Sequence, residues 1–149
     1  MTVTPYRNPE DIASVVRKFE NCEYRTDQFT HAFHLTVAAW YLSHFSMEES
    51  LDRIRLALLR FTQHHGVNGY HETITRFWLQ LTANFLKQAP ADSDLTHRVT
   101  ELVQRFGRKD LVFEYYSRDR VMSDQARNGW VEPDLQTFQK HAPPPQHKS

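Results

Sequence analysis

Apolar residues recur at three- and four-residue spacing through most of the chain, the period of amphipathic helices. Asn8 followed by Pro9 reads as a capped helix start, and Ile12, Val15, Val16 and Phe19 then share one face. The stretch NCEYRT breaks this helix. Thr26 is expected to cap a second one, with Asp27 in its first turn, running to about Phe45. Phe29, Phe33, Leu35, Val37, Ala38, Ala39, Trp40, Tyr41 and Leu42 make it apolar on most sides, so it is predicted to be central. Ser46 and Glu49 form the S-x-x-E pattern that opens a third helix, which carries Leu51, Ile54, Leu58 and Phe61 and stops at Gly66. A fourth is predicted from about Tyr70 to Lys87, burying Ile74, Phe77, Trp78, Leu81 and Phe85, with Pro90 closing it. A fifth starts near Ser93, carries Leu95, Val99, Leu102, Val103 and Phe106, and ends at Gly107. Beyond Gly107 the pattern weakens to one or two short helices and an extended stretch through Pro133.

These elements predict an all-α fold: a single helical domain over residues 1–140, with about five helices in a bundle and a wrapping C-terminal segment. Residues 141–149, HAPPPQHKS, are expected to form a disordered tail, because three consecutive prolines and polar neighbours leave nothing to bury.

Composition narrows the function classes. The 149 residues are 40% hydrophobic and 24% charged, ordinary for a globular domain. Lys+Arg and Asp+Glu both total 18, so the chain has no basic surplus to attract nucleic acid or an acidic membrane, and neither is expected as a partner. The apolar runs are too short to span a bilayer, and MTVTPYRNPED does not have the form of a secretory signal. Cys22 is the single cysteine, which fits a reducing, cytoplasmic setting. Nine histidines are a high count; with His141 and His147 in the tail, seven belong to the body.

The histidines supply the candidate chemistry. Asp27, His31 and His34 stand at i, i+4 and i+7, one stripe of the expected second helix. If the second, third and fourth helices run up, down and up, the first turns of the second and fourth lie at the same end of the bundle. That arrangement brings His71 and Glu72 beside His31 and His34. The expected site is therefore a mononuclear metal held by His31, His34 and His71, with Glu72 as fourth ligand or general base. Such a ligand set suits zinc, iron, manganese, nickel or copper. Asp27 would be a further ligand or would orient one. His64 and His65 read as a polar helix end, and His44 and His97 as exposed. The alternative for each histidine is a core residue bonded to a neighbour, the usual state of a buried polar group.

Three stretches, FTHAFHLTVAAWYLS, HHGVNGYHETITRFW and YYSRDRVMSDQARNGWVEPDL, resemble an uncharacterised family of small bacterial hypothetical proteins. That family shares H-x-x-H-L, Y-H-E-T-x-T-x-x-W and A-R…P-D-L segments. The resemblance covers most of residues 26–135 and carries over onto His31, His34, Tyr70, His71, Glu72, Thr73, Thr75, Arg127, Pro133 and Asp134. It implies that these positions matter together and implies no particular reaction. Tyr70, Thr75, Arg127 and Asp134 thereby join the polar site candidates.

Three functions compete. One is a metal-dependent enzyme acting on a small-molecule substrate, with Glu72 moving the proton and an open metal position activating water or dioxygen. Another is a binding protein for a metal or small ligand, without turnover. The third is a structural or interaction module in which His31, Glu72, Arg127 and Asp134 form a buried hydrogen-bond network.

Overall fold

Each of the five long helices begins at a residue whose side chain accepts a hydrogen bond from the backbone N–H three positions on. Asn8 receives Asp11 N–H, Thr30 receives Phe33, Ser46 receives Glu49, His71 receives Ile74 and Asp94 receives His97. Four of these acceptors are oxygens, the usual N-cap chemistry; the fifth is an imidazole nitrogen. In the computed structural model, which describes residues 6–137, the helices are α1 Pro9–Glu20, α2 His31–His44, α3 Met47–His65, α4 Glu72–Gln88 and α5 Leu95–Phe106. A 3-10 turn Lys109–Leu111 and three short helices follow, α6 Val112–Tyr115, α7 Arg118–Val121 and α8 Asp124–Asn128. Residues 129–137 then run without regular structure. No strand occurs among the described residues, and none of their helices is long and apolar enough to cross a membrane. The expected tail, 141–149, lies outside the described residues.

The fold is the predicted all-α bundle with a wrapping C-terminal segment, but two boundaries move. The second helix starts at His31, not after Thr26. Residues 26–29 form a turn in which the Gln28 N–H donates to the Arg25 carbonyl, and Thr30 caps the helix instead. Asp27 is therefore not on the helix at all, and the Asp27–His31–His34 stripe does not exist. The fourth helix starts at Glu72 rather than Tyr70, because His71 is its extended cap (φ −138°, ψ 112°).

The end of α3 determines where α4 begins. Gly66 takes the left-handed conformation (φ 68°), and the Gly66 and Val67 N–H groups close back onto the Gln63 and Thr62 carbonyls. Residues 67–71 then span up to about 16 Å of extended chain, enough to retrace about ten residues of helix. The chain uses that reach: Glu72 lies beside Arg55, ten residues before the end of α3.

Helix α2 packs against α1, α3, α4 and α5, as its nearly all-round apolar sequence requires. The core divides on either side of it. Val15, Phe19, Phe29, Ile54 and Phe61 fill one part. Phe77, Trp78, Leu102, Tyr115, Tyr116, Val121 and Val131 fill the other, so the short C-terminal helices are built around α4 and α5. Phe77 is fully buried, with the Trp78 and Tyr115 rings edge-on at 5.1 and 4.9 Å. Phe77→Ala should lower the unfolding free energy by about 3–5 kcal/mol, the cost of lost burial and of the cavity left between these rings; urea denaturation measures it.

Candidate functional site

The polar block Tyr70–Thr75 sits where the chain enters α4, and every member of it has an intramolecular partner. The His71 ring is buried, at 8% exposure. Its Nε2 lies 2.7 Å from the Val121 carbonyl oxygen, which only accepts, so Nε2 carries the proton and donates. Its Nδ1 is then the unprotonated nitrogen and receives the Ile74 N–H at 3.1 Å. Burial holds the ring's pKa below the ordinary histidine value, and the nearby Arg127 acts in the same direction. Thr75 closes the turn by donating its hydroxyl to the His71 carbonyl at 2.8 Å.

Glu72 faces α3 rather than the histidines. Arg55 grips its carboxylate with two bonds, Nε to Oε1 at 2.9 Å and Nη2 to Oε2 at 2.6 Å. Tyr70 donates its hydroxyl to Oε1 at 2.6 Å. The arginine holds the Glu72 carboxyl below the usual carboxylate range, while burial and then the carboxylate push the Tyr70 hydroxyl up. The Glu72 side chain is only 13% exposed, against 33% for Arg55, so the pair is partly shielded from water.

Thr73, fully buried, reaches across to the C-terminal segment. Its hydroxyl donates to the Gly129 carbonyl at 2.6 Å and accepts the Val131 N–H at 3.2 Å. The Tyr116 hydroxyl donates to the Val131 carbonyl at 2.7 Å. Two side chains thus satisfy both backbone groups of Val131, a service that a neighbouring strand would otherwise perform. Arg127 Nη1 donates to the Tyr70 carbonyl at 3.4 Å, and the Arg76 guanidinium lies 4.6 Å from the Trp130 ring centre.

The other expected members stand elsewhere. His31 donates from Nε2 to the Phe106 carbonyl at 3.2 Å, tying α2 to the end of α5. Its ring packs edge-on to Trp78 at 4.3 Å. Trp78 is seven residues past His71, about 10 Å along the helix, so the first turns of α2 and α4 are not level. His34 is exposed and lies against the Phe29 ring at 4.3 Å. Asp27 is an exposed partner of Arg25. Asp134 accepts the Ser117 N–H at 2.8 Å and the Ser117 hydroxyl at 2.7 Å, and those bonds hold its carboxyl below the usual range.

The expected ligand set His31, His34, His71 and Glu72 is therefore not assembled. Among the described residues, no group of three or more His, Cys, Asp or Glu side chains is placed to hold a metal ion. The physical reason is the doubled-back connection after Gly66, which starts α4 beside the middle of α3, together with backbone groups that claim both His71 nitrogens. The expected network of His31, Glu72, Arg127 and Asp134 is likewise divided. Tyr70 alone links Glu72 to Arg127, while His31 and Asp134 make separate ties. Arg55, Tyr116 and Ser117 complete the arrangement without having been singled out in the sequence. Comparison with family models, curated proteins and solved structures finds no match for this chain.

Thr73→Val keeps the side-chain shape but leaves the Gly129 carbonyl and the Val131 N–H without their partner. The expected cost is about 1–3 kcal/mol. Limited proteolysis should show cleavage within residues 123–137 rising before any cleavage in α1–α5.

Proposed function

We propose that this chain is a non-catalytic helical interaction module, and that its Tyr70–Thr75 block is a structural clasp rather than a reaction centre. The observation that carries this reading is the full engagement of the His71 ring: one nitrogen caps α4 and the other binds the Val121 carbonyl. A metal would have to displace the Ile74 N–H from the one lone pair the ring offers. Glu72 points the same way, since a general base needs an unclaimed oxygen within reach of a substrate, and both of its oxygens are bound by Arg55. The block acts by closing residues 117–137 over α4, which completes the apolar core around Phe77 and Tyr116. Partners would then be met by the outer surface of the bundle.

The competing reading, a metal-dependent enzyme, makes a different forecast for the same protein. Under the present reading, protein purified without a histidine tag carries less than one equivalent of zinc, iron, manganese, nickel or copper. Adding any of these leaves the melting temperature in place. His34→Ala removes a ring contact with Phe29 but no hydrogen bond of the block, and should cost less than about 1 kcal/mol, whereas His71→Ala should cost about 1–3 kcal/mol by removing a cap and orphaning a buried carbonyl. One equivalent of metal that disappears in His71→Ala, with a matching loss of stability, would overturn the proposal.

A further inference from the structure

We propose that His71 makes closure of the C-terminal segment acid-sensitive: a proton on its ring opens the clasp and uncovers the apolar groove that Val131 occupies. The inference rests on the hydrogen-bond role given to His71 above. The argument is geometric. The N-cap of α4 works only while Nδ1 has a lone pair to offer the Ile74 N–H, 3.1 Å away. Protonated, Nδ1 becomes a donor facing a donor. The helices capped by Asn8, Thr30 and Ser46 are spared this, because neither a hydroxyl nor an amide gains a proton near neutral pH.

Two further terms have the same sign. A cation at a helix N-terminus opposes the helix dipole, unlike the acidic groups usual there. Arg127 of α8 adds a second positive charge close by. The other charged neighbours do not compensate. Glu72 is turned to Arg55 of α3 and to the Tyr70 hydroxyl. Arg76, one turn into α4, is a further cation that acts on the Glu72 carboxylate. On α7 and α8, Arg118, Asp119, Arg120 and Asp124 are all exposed, and Arg120 is bonded to the Glu132 carbonyl. Burial of the imidazole, which disfavours its charged form, agrees with the geometry. The sign follows: a histidine with a depressed pKa in the closed state stabilises that state above about pH 6.5, the free histidine value, and the stability is lost as pH falls through the depressed pKa.

What moves is also defined. The Val121 carbonyl that accepts from His71 lies in α7, directly ahead of α8 and the Gly129–Val131 run that Thr73 and Tyr116 hold. Val131 is 5% exposed and belongs to the same apolar cluster as Tyr116, Val121 and Ala126, each fully buried, so release exposes part of that cluster.

The test is amide hydrogen exchange on the full chain between pH 7.5 and 5, with rates corrected for the intrinsic effect of pH, and with the His71 ring followed by NMR in the same samples. The Val131 amide reports the clasp, and amides of α1 and α2 report the bundle. One unit of pKa difference between closed and open states corresponds to a tenfold change. Protection at Val131 is therefore expected to fall in acid, tenfold for each unit by which the closed-state pKa of His71 lies below its open-state value, with a midpoint that matches the His71 titration, while α1 and α2 stay protected. His71→Asn retains a capping oxygen that does not titrate, and should flatten the dependence at Val131. Constant protection at Val131 through the His71 titration overturns the proposal, as does an equal fall in His71→Asn. If His71→Asn opens the segment at every pH, the wild-type midpoints decide: coincidence supports the switch and separation overturns it. A loss common to all helices would be general acid unfolding and would also overturn it. Metal content decides the functional reading separately, so the two can fail independently.

Discussion

The Thr73 hydroxyl fixes the point at which the C-terminal segment crosses the start of α4, at Gly129 and Val131. Residues 129–137 have no regular structure, yet part of this run lies against the core, where each backbone N–H and carbonyl needs a partner. The Thr73 hydroxyl meets that requirement twice, as donor to Gly129 and acceptor from Val131. Tyr116 supplies the third bond. Without them, burying Val131 would strand polar groups at a cost comparable to the gain from burying its side chain. The position of Thr73 follows in turn from the cap at His71 and from the connection that starts α4 beside Arg55.

His71 and Glu72, two of the residues that invite a metal reading in the sequence, are well suited to making such a clasp. Histidine offers one donor and one acceptor on opposite sides of a rigid ring, so it bridges a helix start and a distant carbonyl in one step. The Arg55–Glu72 pair adds geometric definition more than energy. It is partly exposed, and its attraction is offset by lost hydration. Its bidentate geometry nevertheless sets the height at which α4 meets α3.

Local signals were legible in the sequence and long-range ones were not. Asn8–Pro9, Ser46 with Glu49, and Gly66 each act within a turn of their own position, and each does in the structure what its sequence implies. The start of α2 was misread because Thr26 and Thr30 are equally good caps by type; Arg25 and Gln28 close a turn that leaves the role to Thr30. The importance of Tyr70–Thr75 was visible as a run of polar side chains interrupting an apolar pattern. Its chemistry was not, because Val121 and Gly129 lie tens of residues away and contribute only backbone atoms, which carry no residue signature. Arg55 had no local mark either, being one of several arginines on an exposed helix face. The level of α4 against α2 depended on five connecting residues whose path no periodicity describes.

The clasp also has a bearing on the order in which the chain folds. Its bonds join residues 50, 56 and 58 positions apart. Closing loops of that size costs entropy that nothing repays until both ends are in place. The helices α1 to α5, with shorter connections, present the surface first. Residues 108–137 find their partners on surfaces that the more local contacts of α1 to α5 build, a topology that favours late docking. The sequence distance of the bonds that hold the strap thus bears on when it can form as well as on where it lies.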